Sequence, residues 1–287
     1  MSMDLVNLNG AWDQMNFFVS DYDGTLTADG YLSSQTTYQL RTLISNGVKV
    51  IIATGRDACQ MKTILSNYNL DLDIVGQNGA QFSSENKLEY YYFFHKIESA
   101  YILELIKKYH LLFRIYTSDI ILSLDSYSVI QNLESIAKEN SVQMVNIINQ
   151  MFFLYNLIYL HSEPIKYSEL DKITEVKISK IELYGNLSTI KAIGEMLREK
   201  GMLAYTTSNN CVEISPRDCN KWNGFLNHPN YDNECTIISF GNDDNDIELL
   251  TNSTISFKAE NSSDSLKAVT ERICPIGDIS QVINCFK

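Results

Sequence analysis

Two apolar runs with a helical segment between them constrain this chain more than any other feature of its sequence. Phe17–Ser20 is short and ends at a glycine-containing loop, which suits a buried strand. Val48–Ala53 consists mostly of β-branched residues, the pattern of a strand covered on both faces of a parallel sheet. Ser33–Asn46, between them, has helical periodicity, a serine for its cap and a glycine after it. Strand, helix and strand in this order form a right-handed crossover, so the sequence predicts an α/β fold.

The alternation of strands and helices continues and is then interrupted. Polar and aromatic residues alternate from about Gln81, as in antiparallel hairpins with one solvated face. We therefore expect a three-layer α/β/α Rossmann-like parallel-sheet core, residues 1–82 and 208–287, with an inserted α+β cap domain, residues 83–207. Further elements are predicted as follows: helices near Asp57–Tyr68, Glu98–Tyr109, Val129–Glu139 and Ser188–Lys200 and from Ile247, and strands near Leu72–Val75, Phe152–Leu160, Ile178–Tyr184, Thr236–Phe240 and Thr254–Phe257.

Charge and composition exclude several classes of function. The formal net charge of -12 opposes nucleic acid as a partner, because duplex binding depends on Lys and Arg. The first residues lack a signal peptide's basic start and apolar run, and no segment suggests a membrane span. The six cysteines are scattered without a Cys-x-x-Cys pair. We expect a cytoplasmic protein, a monomer or weak homodimer, whose partner is a small-molecule phosphate ester.

Four short elements carry residues suited to chemistry on phosphate. They are Asp21-Tyr22-Asp23-Gly24-Thr25, Thr54-Gly55-Arg56, Lys221, and the acidic loop 241–246. Three of them directly follow predicted strands. In an open parallel sheet the loops beyond the carboxyl ends of the strands meet at one crevice, so these residues are expected to share a site.

The residue types in this set fit phosphoryl transfer. Asp21 could attack phosphorus, and Asp23 could protonate the leaving group and then deprotonate a water molecule. A carboxylate that faces a phosphate dianion is repelled, and Lys221 with a hard, oxygen-ligated cation such as Mg²⁺ would offset that repulsion. The Thr54 hydroxyl and nearby backbone amides would hold the phosphoryl oxygens.

Each element alone also has an ordinary structural interpretation. Asp-Gly-Thr is commonly just a turn, acidic loops are commonly solvated surface, and a single lysine before a helix is ordinarily a surface residue. The four histidines are dispersed and are interpreted as surface or packing residues. The specificity comes from the four elements together and in this order.

In that order, the four elements resemble the motifs of the haloacid dehalogenase superfamily; they stand in the sequence as FFVSDYDGTLT, VIIATGR, the lysine of EISPRDCNKWNGF, and FGNDDNDIELL. Asn78-Gly79-Ala80 before the insert resembles its Cof-type branch of sugar-phosphate phosphatases with a large α/β cap. The resemblance implies that Asp21 is the nucleophile and Asp23 the acid/base. It also implies phosphate-binding residues, namely Thr54, Gly55, Lys221 and Asn245, and a Mg²⁺ site made from Asp21, Asp23, Asn242, Asp243 and Asp246.

The chain departs from the family pattern at one position. The family usually has Gly-Asp-x-x-Asn-Asp, and here Asn242 replaces the first aspartate. An amide oxygen suits Mg²⁺ but carries no charge, so we expect metal affinity to fall unless Asp243 or Asp246 compensates. Asn242 is predicted to bind the metal directly or through water, with Asp246 in support.

The predicted function is that of a Mg²⁺-dependent phosphomonoester hydrolase that acts on a small, sugar-like phosphate through an aspartyl-phosphate intermediate. One alternative is a phosphomutase of the phosphomannomutase type, although the insert is not obviously rich in the arginine that a distal phosphate needs. Another is a non-catalytic protein that binds a phosphate ligand, which the asparagine at position 242 makes worth testing.

Overall fold

The computed structural model describes residues 16–85, 87–125, 128–129, 162–185, 187–207 and 211–286. These residues form two compact units. The first unit contains the described parts of residues 1–91 and 219–287, and the second contains those of residues 92–218.

The first unit is built on an eight-stranded sheet with the order β14-β13-β12-β1-β2-β3-β4-β5. The strands from β14 to β3 are parallel, and β4 and β5 add an antiparallel edge. Its strands are β1 (Asn16–Ser20), β2 (Lys49–Ala53), β3 (Asp73–Gly76), β4 (Gln81–Ser84), β5 (Lys87–Tyr90), β12 (Thr236–Gly241), β13 (Ile255–Ala259) and β14 (Ile273–Cys274).

Helices cover both faces of this sheet. They are α1 (Ser34–Ser45), α2 (Ala58–Ser66), α5 (Lys221–Phe225), α6 (Ile247–Asn252) and α7 (Ser280–Cys285). Successive strand residues point to opposite faces, so Phe18 packs in a cluster with Leu40 of α1, whereas Phe17 packs with Phe225 of α5 on the other side. The prediction of a three-layer α/β/α core is confirmed.

Two of the predicted helices begin where their capping side chains are. Ser33 accepts a hydrogen bond from the backbone N–H of Thr36, and Asp57 accepts one from that of Cys59. Each cap satisfies one of the N–H groups that a helix start leaves without a partner, so α1 and α2 start directly after these residues.

The described residues of the second unit form a six-stranded sheet of order β10-β11-β9-β6-β7-β8, and among them only β7 and β8 pair in parallel. Its elements are α3 (Lys96–Tyr109), β6 (Leu112–Thr117), β7 (Ile121–Leu124), β8 (Glu163–Ile165), β9 (Ile178–Tyr184), α4 (Leu187–Glu199), β10 (Leu203–Thr207) and β11 (Cys211–Ser215). The predictions for Val129–Glu139 and Phe152–Leu160 fall almost entirely outside the described residues.

The two faces of this second sheet differ in chemistry. One face packs against α3 and α4 through an apolar cluster that includes Ile181. Glu182, the next residue, points the other way, and its carboxylate lies 2.9 Å from the fully buried ammonium of Lys180, which also pairs with Glu213 at 2.9 Å. Burial alone would raise the pKa of Glu182, but Lys180 and Arg114 lower it to about 2, so this carboxylate is held as an anion.

The chain passes from one unit to the other at residues that differ from the domain boundaries predicted from the sequence, 82/83 and 207/208. The hairpin predicted from Gln81 is present, but β4 pairs with β3 and so extends the core sheet. Cys211–Ser215 pairs with β9 and belongs to the other sheet. The change of unit therefore follows residues 91 and 218. Among the described residues, no helix has the length and apolar character that a membrane crossing requires.

Candidate active site

Asp21 directly follows β1, at the carboxyl end of the parallel sheet. Its backbone N–H donates to the carbonyl of Phe240 at 2.9 Å, which continues the pairing of β1 with β12. The chain then turns back, and Gly24, Leu26 and Thr27 close the turn through backbone hydrogen bonds. Asp21 is only 6% exposed, so its carboxylate is held in a buried position at the edge of the sheet.

Lys221 connects two carboxylates that are far apart in sequence. Its Nζ lies 2.7 Å from Asp21 Oδ1 and 2.7 Å from Asp246 Oδ1, and the lysine is fully buried. It is the first residue of α5, which Asn220 caps by accepting from the backbone N–H of Asn223 at 2.8 Å. The predicted convergence of the first, third and fourth sequence elements is present in the structure.

Two glycines allow α5 to approach the sheet this closely. Gly79 has a φ of +113°, and a Cβ built on it would lie 2.1 Å from the carbonyl oxygen of Asn220. A Cβ on Gly224 would lie 2.5 Å from the Cα of Gly79. Since Asn220 precedes Lys221, this backbone contact sets where the lysine side chain starts.

Asp246 organises the acidic loop that follows β12. Its Oδ2 accepts hydrogen bonds from the backbone N–H groups of Asn242, at 2.9 Å, and Asp243, at 3.1 Å. Its other oxygen receives the Lys221 ammonium. Both oxygens of this fully buried carboxylate are therefore engaged by N–H donors, which gives it a supporting position behind the site.

The shared ammonium sets the electrostatics of the two carboxylates. Burial raises the pKa of Asp21 to about 7 although Lys221 lowers it, and the charge of Asp246 adds to the rise. Burial would lower the pKa of Lys221, but Asp21 and Asp246 raise it above its usual value, so the ammonium stays charged. One ammonium group is thus shared by two carboxylates, so a further positive charge would stabilise the site.

The donors around Asn242 fit a hard divalent cation. One terminal atom of its side-chain amide lies 3.1 Å from Asp21 Oδ2 and 3.1 Å from the carbonyl oxygen of Asp23. Adjacent oxygens in an octahedral Mg²⁺ shell are about 2.9 Å apart. In the described part of the chain no three His, Cys, Asp or Glu side chains are grouped as metal ligands. The donors here are a carboxylate, a carbonyl and an amide, a set that Mg²⁺ accepts.

Asp23 forms a bidentate ion pair with Arg56. The distances are 2.7 Å from Nε to Oδ2 and 2.7 Å from Nη2 to Oδ1. The Asp23 side chain is 46% exposed, in contrast to Asp21. The two carboxylates of the Asp-x-Asp motif therefore diverge, one towards the buried lysine and one towards solvent. The sequence left the role of Arg56 open, and here it fixes the orientation of Asp23.

Thr54 and Gly55 lie at the end of β2, the strand next to β1. The Thr54 hydroxyl accepts a hydrogen bond from the backbone N–H of Arg56 at 3.1 Å, and its backbone N–H donates to the carbonyl of Val75 at 2.8 Å. Thr54 is 1% exposed. These bonds hold the loop against β3 and place the threonine at the same edge of the sheet as Asp21.

The two remaining predicted residues have partners of their own. Asp243 accepts from the backbone N–H of Asp244 at 2.8 Å and caps the short 3-10 turn at residues 244–246. Asn245 donates through Nδ2 to Asn78 Oδ1 at 3.0 Å. Asn78 therefore contacts a predicted site residue, and the sequence suggested it only through the Asn-Gly-Ala pattern.

Thr25 was not among the predicted site residues. Its hydroxyl lies 3.2 Å from Asp21 Oδ2 and 3.0 Å from the amide of Asn242, so it touches both central side chains. Its place in the Asp-x-Asp-Gly-Thr motif was the available signal, because the turn closed by Gly24 directs residue 25 back to Asp21.

With this geometry established, known proteins give a consistent comparison. A family model described as haloacid dehalogenase-like hydrolase matches residues 18–282. The chain therefore belongs to this family, and the predicted membership in an enzyme family of hydrolases is confirmed.

One curated relative matches this chain over most of its length. A protein of Buchnera aphidicola (subsp. Baizongia pistaciae), named as a candidate phosphatase, is 28% identical over 260 residues, which cover 86% of this chain and 87% of the relative.

Solved structures confirm the fold. A haloacid dehalogenase-like hydrolase from B. subtilis superposes with a TM-score of 0.75 at 17% identity, covering 95% of this chain and 99% of that one. A sugar phosphatase of haloacid dehalogenase subclass IIB gives 0.73 at 16% identity, with the same coverage. A protein from Thermotoga maritima gives 0.69 at 19% identity, covering 95% of this chain and 97% of that one.

Proposed function

We propose that this chain is a Mg²⁺-dependent phosphomonoester hydrolase that acts on a small sugar phosphate through an aspartyl-phosphate intermediate on Asp21. The observation that carries the proposal is the buried lysine that bridges Asp21 and Asp246 at the carboxyl end of a parallel sheet. The family match and the phosphatase relative support the reaction class. The sugar phosphatase of subclass IIB supports the substrate class.

Asp21 is the nucleophile of this mechanism. A carboxylate oxygen of Asp21 forms a bond to phosphorus as the bond from phosphorus to the leaving oxygen breaks. The Lys221 ammonium, 2.7 Å from Asp21 Oδ1, reduces the repulsion between the carboxylate and the incoming phosphate. The Thr54 hydroxyl accepts one backbone N–H, so its own hydrogen can be donated to a phosphoryl oxygen.

Asp23 moves the protons. Asp23 enters the reaction protonated, gives this proton to the leaving oxygen in the first half of the reaction, and takes one from water in the second half, which restores its protonated form. Water then bonds to phosphorus, the bond to Asp21 breaks, and inorganic phosphate is released. Before substrate binds, the ion pair with Arg56 holds the ionised Asp23 at the exposed side of the turn. Asp23 leaves this pair when it takes up the proton that it later gives to the leaving group.

Mg²⁺ would be held by the Asp21 side chain, the Asp23 carbonyl and the amide of Asn242. When bound, it supplies positive charge next to the phosphoryl oxygens. Asp246 and Asp243 contribute by holding the loop, because their carboxylates cap backbone N–H groups of residues 242 to 244.

The proposal is tested by measuring phosphate release with Mg²⁺ from p-nitrophenyl phosphate and a panel of sugar, polyol and nucleotide monophosphates. The matched control is Asp21→Asn, which keeps the shape of the side chain but removes the nucleophile. We expect release from sugar phosphates and a loss of at least about a thousandfold in the variant. Isomerised product without net phosphate release would show a mutase, and no turnover of any compound would show a binding protein.

A further inference from the structure

One terminal atom of the Asn242 side-chain amide points inward, and its polar neighbours are oxygen atoms. Its inward-facing terminal atom lies 3.1 Å from Asp21 Oδ2, 3.1 Å from the Asp23 carbonyl and 3.0 Å from Thr25 Oγ1. An amide nitrogen has two hydrogens to donate, whereas an amide oxygen has none. Without a cation, the nitrogen is the atom that makes favourable contacts in this position, and the oxygen is the atom that a cation requires there.

The charges around this amide explain why a neutral side chain is stable there. Asp21 and Asp246 share the single ammonium of Lys221, which leaves an excess of one negative charge. A further carboxylate on the Asp21 side of the amide, that of Asp23, is paired with Arg56. An aspartate at position 242 would place another carboxylate about 3 Å from Asp21, with strong repulsion in a buried setting. The asparagine instead donates to Asp21.

We propose that Asn242 has two working orientations, with its amide nitrogen turned inward to join Asp21 to the Asp23 carbonyl in the metal-free protein and its amide oxygen turned inward when a divalent cation binds. This inference rests on the metal site of the proposed function. The change is a half-turn of the amide about its Cβ–Cγ bond.

The backbone of residue 242 does not need to move for this half-turn. Its N–H donates to Asp246 Oδ2 at 2.9 Å, and its carbonyl accepts from the backbone N–H of Ser263 at 2.9 Å. A Cβ on Gly24 would lie 2.5 Å from the outward-facing terminal atom of the Asn242 amide, so the glycine leaves room for the amide in either orientation. The loop thus remains fixed while one side chain exchanges its hydrogen bonds for a ligand bond.

Two consequences follow for the protein. The metal-free site is held together by the amide, so the catalytic turn is ordered before a cation arrives. Cation binding must break these hydrogen bonds, so the affinity for Mg²⁺ is lower than with aspartate in the same place. Compared with aspartate, asparagine at position 242 therefore lowers the affinity for the metal and stabilises the metal-free protein.

The first test compares the wild type, Asn242→Asp and a charge-matched control, Asn233→Asp. Asn233 is exposed, and its side chain takes part in hydrogen bonding only through its oxygen, which accepts from the Tyr231 hydroxyl. It precedes β12, at the end of that strand opposite to the site and about 20 Å away from it. In EDTA we expect Asn242→Asp to melt at least about 3 °C below both other proteins. In calorimetry we expect it to bind Mg²⁺ at least tenfold more tightly, with a larger rise in melting temperature.

The second test needs no variant and applies if Asn242→Asp does not fold. In ¹³C,¹⁵N-labelled protein, the side-chain amide pair of Asn242 is assigned through its own Cβ. We expect slow hydrogen exchange of this pair in EDTA and loss of that protection on Mg²⁺ addition. A pair that keeps its protection and chemical shift at saturating Mg²⁺ overturns the proposal.

The outcomes separate this inference from the proposed function. If Mg²⁺ binds the wild type and supports phosphate release, but Asn242→Asp has the same affinity and metal-free melting temperature, the two-orientation proposal alone is overturned. If calorimetry detects no Mg²⁺ binding and no phosphate is released, the metal site of the proposed function fails, and this inference fails with it.

Discussion

Replacement of Lys221 by methionine is the perturbation whose size the structure determines best. Methionine keeps much of the side-chain volume but leaves Asp21 and Asp246 without their common cation. Two hydrogen bonds to charged groups are lost, each worth about 1.5–3 kcal/mol. The removal of one partner from a buried ion pair costs about 3–5 kcal/mol. Both routes give a loss of about 4 kcal/mol in the free energy of unfolding at pH 8, measured in EDTA.

The loss should depend on pH with a definite sign. A carboxyl group whose pKa is raised in the folded protein binds more protons there than in the unfolded chain, so its cost grows as pH rises above the unfolded value of 3.8. The pKa of Asp21 is already raised to about 7 with the lysine present, and it rises further without it. We therefore expect Lys221→Met to cost less at pH 5, about 2 kcal/mol or below.

The assay is urea unfolding at pH 5 and pH 8, followed by tryptophan fluorescence, to which Trp222 beside the mutated position contributes. The control is Lys107→Met, which removes an exposed pair with Asp171 at 2.7 Å in the other unit and should cost less than about 1 kcal/mol at either pH. A loss below 1 kcal/mol for Lys221→Met at pH 8, or an equal loss at both pH values, would refute the reasoning.

Two further changes test how the site is supported. Gly79→Ala should lose activity and about 2 kcal/mol or more of stability, because its Cβ would lie 2.1 Å from the Asn220 carbonyl oxygen. Gly47 has a φ of +80° and open space around it, so Gly47→Ala should cost only about 1 kcal/mol and keep activity. Both variants are compared by urea unfolding and phosphate release. Asp73→Asn should cost about 1–2 kcal/mol at pH 7, because Asp73 accepts from Lys49 and His228. Burial alone would raise the pKa of Asp73, but these partners lower it to about 2. The cost of the substitution should therefore fade as pH drops from 4 towards 2, and a pH-independent change in the urea midpoint would count against this role.

Local sequence signals were sufficient for the parallel strands β1, β2, β3, β12 and β13 of the core and for the expectation that Asp21 and the acidic loop 241–246 lie close together. Ser33 and Asp57 cap helices where the sequence placed helix starts, because capping depends on residues within one turn. Asp21 and Asn242, far apart in sequence, meet because they follow the neighbouring parallel strands β1 and β12, whose carboxyl ends lie at one edge of the sheet. That step needed only the order of strands.

The domain boundaries and the finer contacts depended on information that the local sequence does not contain. The alternation after Gln81 indicates a strand with one wet face, but it cannot show that this strand pairs with β3 of the core. Likewise, the pattern Asn-Gly-Ala does not reveal that Gly79 packs closely against the backbone carbonyl of Asn220, because that contact joins segments that are distant in sequence.

The central claim is that Asp21 becomes phosphorylated, and a trapping experiment tests it most directly. The enzyme is mixed with Mg²⁺ and p-nitrophenyl phosphate, quenched with acid in the first turnover, reduced with borohydride and analysed by peptide mass spectrometry. The proposed mechanism predicts that residue 21 is reduced to the corresponding alcohol. Phosphate release at an undiminished rate with Asp21 unmodified, or a modification at another residue, would contradict it.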